Sequence, residues 1–264
     1  MSDEFLLCDI AEELKYTTLL KKKSPPSIYH VNYRSVYTDD YPAKFDDELA
    51  RMLIRLYTEP GESVLDPMAG SGIIPLVAAS LRRHGYYQDI NEAAFNLFKD
   101  KVPVDLITYI SGYLDDSTQI ICKDLAHEID LILFSPPFGL TIDAAHDKYS
   151  DDKNDIANSK TYDIWRHKIK QIMFGCFEVL KPGKLMIVET RPRAKKGASF
   201  PLNSWILQDA IDIGFEFFQE MIEIVQPFRM WSFGDFYQRK AFPMHSYLTM
   251  MRKPNPKNET LDTF

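Results

Sequence analysis

The sequence predicts one α/β domain in which helices cover a mostly parallel sheet. From about residue 44 onward, stretches with helical spacing of apolar residues alternate with short runs typical of strands. That alternation is the pattern of a parallel sheet with covering helices. Ile129 to Phe134 is an almost wholly apolar run, as expected of a strand covered on both faces. A chain of 264 residues can bury one large core.

The composition is that of an ordinary folded soluble protein, with 45% hydrophobic and 26% charged residues. No apolar run approaches the roughly 20 residues that a transmembrane helix needs. The chain begins with Asp3 and Glu4 and lacks the basic and then apolar pattern of a secretory signal. We therefore expect a cytoplasmic protein without membrane contact.

Neither a metal site nor a disulfide framework is expected, because Cys8, Cys122 and Cys176 are far apart and lack histidines at zinc-ligand spacing. The net charge is −7 and the pI is about 5.4. Phosphate binding depends on Lys and Arg, so any contact with nucleic acid must be local.

The first half of the domain reads as two consecutive strand-helix units. A helix over residues 45–57, with acidic residues in its first turn, comes before them. The first unit is a strand from Ser63 that ends at Asp66, a glycine turn, and a helix to about Arg83. The second is a strand over residues 86–90 and a helix capped by Asn91.

The second half continues the alternation. Strands are predicted over residues 118–122, 129–134 and 184–189, and helices over 162–180 and 204–213. A polar loop spans 139–160. Residues 215–225 and 242–251 could pair as antiparallel strands, and a disordered tail is predicted from Pro254.

The segment from Asp66 to Gly72, with the sequence Asp-Pro-Met-Ala-Gly-Ser-Gly, is the first candidate binding motif. Glycines after a strand let the backbone approach a ligand, and the next helix offers free N–H groups and a positive dipole end. No third glycine follows Gly72 at the dinucleotide spacing. The motif suits a nucleotide-like or amino-acid-like ligand, and a plain strand-to-helix turn is the alternative.

Two acidic residues at predicted strand ends extend this candidate site. Asp89 follows the glycines by about 20 residues, where a carboxylate can accept hydrogen bonds from both ribose hydroxyls. Asp124, after the predicted strand 118–122, could accept a hydrogen bond from an adenine amino group. Alone, each could equally be a capping or turn residue.

The segment Ser135-Pro136-Pro137-Phe138 is the most specific motif in the chain. Two prolines make the backbone rigid, remove two N–H donors and leave carbonyls as acceptors. The Ser135 hydroxyl and the Pro136 carbonyl could accept hydrogen bonds from both hydrogens of an exocyclic amine on a nucleobase. Phe138 could stack on that base. A rigid proline turn is the structural alternative.

These motifs resemble those of the DNA amino methyltransferases, which make N4-methylcytosine or N6-methyladenine. Asp66 to Gly72 is similar to the family's cofactor motif, with Met68 in place of Phe, and Ser135 to Phe138 is similar to its catalytic motif. Tyr41 to Phe45 and the strand from His245 resemble further family segments. The resemblance covers about residues 33–253, which leaves an N-terminal extension of 1–32 and a tail of 254–264.

The resemblance implies a Rossmann-like S-adenosylmethionine-dependent methyltransferase fold, with a seven-stranded, mostly parallel sheet and an antiparallel C-terminal strand. It implies that S-adenosyl-L-methionine is bound by residues of the cofactor motif and its neighbours: Lys44, Phe45, Asp66, Pro67, Met68, Gly70, Ser71, Gly72, Asp89, Ile90 and Asp124. The target amine would be held by Ser135, Pro136, Pro137 and Phe138, and serine in first position is more frequent in enzymes that act on cytosine N4.

Several alternatives stay open. The substrate could be adenine N6 or RNA instead of DNA cytosine, and the acidic pI weighs against DNA. The chain could also be a cofactor-binding subunit that needs a recognition partner, or a homodimer. Candidate nucleic-acid contacts are the loop 139–160, the basic segment 191–196, and the aromatic and basic segment 229–240. No cysteine follows a proline, so direct methyl transfer is expected instead of covalent cytosine C5 chemistry.

Overall fold

The protein is described by a computed structural model over residues 28–32, 45–119, 121, 125–137, 150, 152–195, 198–226 and 245–256. The predicted α/β class is confirmed, because helices lie on both faces of a mostly parallel sheet. In the described part of the chain, no helix is long and apolar enough to cross a membrane.

The helices alternate with the strands along most of the chain. The helices are α1 (Asp47–Tyr57), α2 (Ile73–Ser80), α3 (Glu92–Lys101), α4 (Tyr162–Val179) and α5 (Leu202–Ile213), with short 3-10 turns at Val104–Tyr109 and Ile156–Asn158. The strands are β1 (Ile28–Asn32), β2 (Ser63–Asp66), β3 (His84–Asp89), β4 (Ile110–Leu114), β5 (Ile129–Phe134), β6 (Leu180–Thr190), β7 (Arg193–Lys195), β8 (Ala198–Phe200), β9 (Glu216–Gln226) and β10 (His245–Arg252).

The main sheet has the strand order β1-β9-β10-β6-β5-β2-β3-β4, and β10 runs antiparallel to both of its neighbours. The seven strands from β9 to β4 confirm the predicted sheet and its antiparallel C-terminal strand. The eighth strand, β1, was not predicted. It pairs in parallel with β9, so the sheet takes in the last five residues of the predicted N-terminal extension.

One predicted strand is wrong. Residues 117–119 form a turn, and the strand that pairs with β3 is β4, several residues earlier. Pairing decides this case, because Gly85 to Asp89 of β3 align with Ile110 to Leu114. The 3-10 turn at Val104–Tyr109 delivers the chain directly to that edge of the sheet.

The core consists of two apolar layers separated by the sheet. β5 contributes to both, since Ile132 and Phe134 face the layer under α4 and α5, whereas Leu131 and Leu133 face the layer under α1 and α2. All six residues of β5 are buried. The chain therefore leaves β5 at the centre of the domain.

Side-chain caps set where three of the helices begin, with Asp46 capping α1, Asn91 capping α3 and Thr161 capping α4. The Asp46 carboxylate accepts a hydrogen bond from the Leu49 N–H at 2.7 Å. The Asn91 side chain accepts from the N–H groups of Ala93 and Ala94, which confirms the predicted cap of α3. Each cap satisfies donors that the first helical turn leaves unpaired.

We expect Gly85→Ala to lower the free energy of unfolding by about 1–3 kcal/mol, because a β-carbon at Gly85 would lie 2.8 Å from Pro75 Cα and still closer to the Pro75 carbonyl oxygen. Chemical denaturation measures this change. Exposed Ser204 on α5 offers the control variant Ser204→Ala. A Gly85→Ala protein as stable as the parent would refute this close contact between β3 and α2.

Candidate active site

The candidate site lies where the strand order reverses. From β2 the chain builds outward through β3 and β4, and then β5 pairs on the other side of β2. In open α/β sheets, ligands bind beyond the carboxyl ends of the strands at such a switch point. Asp66 ends β2 and Ser135 follows β5, so the two sequence motifs lie beyond neighbouring strand ends.

The glycine motif forms the tight turn that its sequence predicts. Gly70 and Gly72 have φ of 47° and 77°, in the left-handed region that favours glycine. A β-carbon on Gly72 would overlap the ring of Phe98, which stacks on Tyr87 with centroids 4.2 Å apart. The Tyr87 hydroxyl donates to the Gly70 carbonyl at 3.0 Å. The turn is therefore held from β3 and α3.

Asp89 binds this turn through its carboxylate. Its two oxygens accept hydrogen bonds from Gly70 N–H at 2.7 Å and Asn91 N–H at 2.8 Å. Burial raises the pKa of Asp89 to about 6, although the two hydrogen bonds lower it. The negative charge of Asp155 adds to the increase. Carboxylate oxygens can accept further hydrogen bonds, so the predicted contact with ribose hydroxyls stays a prediction.

Asp66 is the second buried carboxyl group of the turn. It is 4% exposed and accepts a hydrogen bond from Met68 N–H at 3.0 Å. Burial, together with the negative charge of Asp89, raises its pKa well above the usual range. The predicted residues Pro67, Ser71 and Ile90 lie in the same turn and directly after β3.

Asp116 is a candidate that sequence reasoning missed. The predicted adenine-binding Asp124 lies outside the described residues, and the strand expected before it is absent from residues 117–119. Asp116 follows the true strand β4, and its Oδ1 accepts from Thr118 N–H at 2.9 Å. Its Oδ2 is buried without a hydrogen-bond partner among the described residues. Correct assignment of β4 would have pointed to it.

The neighbouring Ser117 ties the end of β4 to the glycine turn, because its hydroxyl donates a hydrogen bond to the Pro67 carbonyl. Asp115 N–H also donates to the Asp89 carbonyl at 3.0 Å. These two contacts bring the acceptor on Asp116 to the edge of the same turn.

The proline segment, Ser135 to Pro137 in the described residues, is held by a hydrogen bond from the indole of Trp165. The Trp165 Nε1–H of α4 donates to the Pro137 carbonyl at 2.7 Å, and Trp165 is fully buried. The Pro137 carbonyl is thus occupied, whereas the Pro136 carbonyl is the one that the sequence assigns to the target amine. Ser135 is partly exposed, and Phe138 lies outside the described residues.

The predicted polar loop is only partly described. Residues 152–160 form a compact segment in which Asp155 accepts hydrogen bonds from the Ser150 hydroxyl and Ala157 N–H. Ile156 of this segment is buried in the core beside α4. Since Asp155 acts electrostatically on Asp89, this part of the loop lies towards the glycine turn.

Of the other residues that the sequence predicts for the site, some are described by the structure and some are not. Phe45 is buried against α1, whereas Lys44 and the segment 229–240 lie outside the described residues. Part of the basic segment forms β7, which pairs with β8 in a two-stranded ribbon after β6. Among the residues that the structure describes, no group of acidic, histidine and cysteine side chains could hold a metal ion.

Comparison with solved structures shows a methyltransferase fold. TrmN from Thermus thermophilus matches with a TM-score of 0.53 and 21% identity over 79% of this chain, which spans 49% of TrmN. The glycopeptide N-methyltransferase MtfA, solved with S-adenosyl-L-methionine, matches with a TM-score of 0.51 and 12% identity. The match covers 84% of this chain and all of MtfA. The [4+2]-cyclase SpnF matches with a TM-score of 0.54 and 13% identity, over 83% of this chain and 87% of SpnF. At such identities the likeness concerns the fold alone.

Comparison of the sequence with protein families gives a match for part of the chain. Residues 11–100, which include the glycine turn and Asp89, match a family described as DNA methylase. The match covers 90 of the 264 residues, so the similarity to DNA methylases concerns this part of the chain.

Proposed function

We propose that this chain is an S-adenosylmethionine-dependent methyltransferase that modifies an exocyclic amino group of a DNA base, with cytosine N4 as the leading target. The observation that carries the proposal is the position of Ser135 to Pro137 beyond β5, at the switch point and next to the glycine turn of β2. A cofactor motif and an amine-binding motif on adjacent strand ends can bring a donor and an acceptor together.

The residues beyond β2, β3 and β4 fit the proposed cofactor. The left-handed glycines let a ligand approach the backbone closely, and Asp89 offers oxygens to paired hydroxyls. The unpartnered Asp116 Oδ2 is a buried acceptor that a ligand amino group would satisfy. When bound, S-adenosylmethionine supplies an electrophilic methyl group on a positively charged sulfur.

The proline segment fits the proposed acceptor. Two prolines and the Trp165 hydrogen bond hold the segment rigid, so the Ser135 hydroxyl and the Pro136 carbonyl need little reordering before they bind an amine. These acceptors would orient both amine hydrogens, which leaves the nitrogen lone pair aimed at the methyl group. Phe138 would stack on the base.

Nucleic acid contacts are proposed for the basic segment that includes β7, for the loop 139–160 and for 229–240, where cations and aromatic residues alternate. An RNA or adenine N6 substrate, and a recognition partner or second copy of the chain, remain the alternatives. They require the same two motifs.

The deciding experiment is incubation of the protein with methyl-labelled S-adenosylmethionine and either unmethylated DNA or total RNA, followed by nucleoside analysis. We expect N4-methylcytosine from DNA. Label in adenine or RNA would move the substrate but keep the chemistry. Cofactor binding without any transfer would favour the subunit that needs a partner.

For Ser135→Ala we expect turnover to fall about tenfold or more, because one hydrogen bond to the amine is lost. The dissociation constant for S-adenosylmethionine, measured by calorimetry, should change less than about twofold because Ser135 does not hold the cofactor. Ser204→Ala, at an exposed position of α5, is the matched control. Equal losses in turnover and cofactor affinity would rule out this role.

Cofactor affinity should weaken as the pH falls through 6. The pKa of Asp89 is about 6, and only its ionised form accepts hydrogen bonds from both ribose hydroxyls and backbone N–H groups. Below that pH the free protein binds a proton that the cofactor must displace, so the dissociation constant should rise by up to about tenfold per pH unit. Calorimetry between pH 5 and 8 tests this. Asp89→Asn should bind weakly and without this pH dependence, and a flat profile for the parent protein would contradict the assignment.

A further inference from the structure

Two buried carboxyl groups lie at the carboxyl end of the sheet, beside the proline segment and apart from the glycine turn. Glu189 is the penultimate residue of β6 and is 6% exposed, and Glu223 of β9 is 2% exposed. Carboxylates are rarely buried unless they are paired or functional.

Strand register brings Glu189 next to Ser135. β5 and β6 are parallel neighbours whose register ends with Phe134 opposite Val188, and Ser135 and Glu189 are the residues that directly follow this last pair. Phe134 and Val188 both face the apolar layer under α4 and α5. Because side chains alternate along a strand, Glu189 points to the face opposite to that of Val188. Ser135 leaves the end of the neighbouring strand β5.

Glu223 lies across β10 from Glu189. Leu248 of β10 pairs with both Glu189 of β6 and Met221 of β9, and Glu223 is two residues beyond Met221 on the same face. Its Oε2 is buried without a hydrogen-bond partner among the described residues. Burial, and then the negative charge of Glu189, raises the pKa of Glu223 to about 8.

The other groups around the pair are polar or basic. Ser246 pairs with Glu223 in the strand register, and its hydroxyl accepts a hydrogen bond from Arg191 Nε at 2.9 Å. Arg191 Nε also lies 3.8 Å from Glu189 Oε1. The charged groups that act on Glu223 are Glu189 of β6 and Arg191, which follows that strand. At neutral pH Glu223 therefore holds a proton.

We infer that Glu189 is the terminal proton acceptor of the methyl transfer and acts through the Ser135 hydroxyl. The inference rests on the proposed function, which leaves the released proton without an acceptor. Glu189 acts through Ser135 and not by contact with the base.

The proton balance follows from the bonds that change. When the amine nitrogen bonds to the methyl carbon, the carbon–sulfur bond breaks and its electron pair stays on the sulfur. The nitrogen then carries one proton too many. Ser135 Oγ takes this proton and passes its own to a carboxylate oxygen of Glu189, which becomes neutral, and release of that proton to water restores the site. Positioned acids and bases of this kind contribute typically 10²–10⁴-fold to a rate.

We expect Glu189→Gln to lower the single-turnover rate of methyl transfer about tenfold, no more than Ser135→Ala does, and to remove the decline of the rate at acid pH that a carboxylate acceptor would give the parent protein. Glu189→Asp should keep that decline and recover part of the rate. Glu216→Gln, at the exposed opposite end of β9, is the matched control. Calorimetric binding of S-adenosylmethionine and the unfolding free energy report whether each variant is intact.

A second readout does not depend on activity. In carbon-13 NMR of protein labelled at glutamate carboxyl carbons, the Glu223 resonance, identified by its loss in Glu223→Gln, should titrate near pH 8 in the parent. In Glu189→Gln its midpoint should fall by about one pH unit, because the neighbouring charge is removed.

The outcomes separate the two proposals. Absence of transfer by the parent protein to any nucleic acid would overturn the proposed function and this inference together. Transfer by the parent with an unchanged pH profile in Glu189→Gln, or an unchanged Glu223 midpoint, would overturn the inference alone.

Discussion

Burial of β5 on both faces is the constraint on which the rest of the structure depends. Its apolar residues Leu131 to Phe134 alternate between the two core layers, and each stabilises the fold by about 1.5–3 kcal/mol through burial. A strand of this kind must lie centrally in a parallel sheet, with helices above and below. The sheet order then sets β2 beside it, and both strands end at the same edge. The site exists because two chain segments leave the core at neighbouring points.

Rigidity at that edge comes from polar contacts that reach the backbone. Asp89 binds Gly70 N–H, Tyr87 binds the Gly70 carbonyl, and Trp165 binds the Pro137 carbonyl. Each donor or acceptor is mostly buried, where an unmade hydrogen bond would cost more than in water. The two loops of the candidate site are thereby tied to the strands and helices beneath them.

The electrostatics of this edge differ from those expected for a polyanion-binding surface. Asp66, Asp89 and Glu223 are buried acids whose pKa values are all raised, chiefly by burial. At neutral pH the Asp89 carboxyl, with a pKa of about 6, is mostly ionised, whereas Glu223, with a pKa of about 8, holds a proton. Contacts with nucleic acid are proposed for local basic segments such as 191–196, which agrees with a chain whose net charge is −7.

Local patterns in the sequence determined the α/β class, the glycine turn, the cap at Asn91, the strand β5 and the antiparallel end of the sheet. Each depends on neighbouring residues or on a simple period, so one sequence suffices to predict it. Only the tertiary structure decided that β4 precedes Asp116, that β1 joins the sheet, that Trp165 holds Pro137, and that Glu189 and Glu223 meet across β10. These contacts join residues that are up to about two hundred positions apart, as β1 and β9 are, and strand pairing of that kind is set by which edge is open and which side chains pack, neither of which a local window contains.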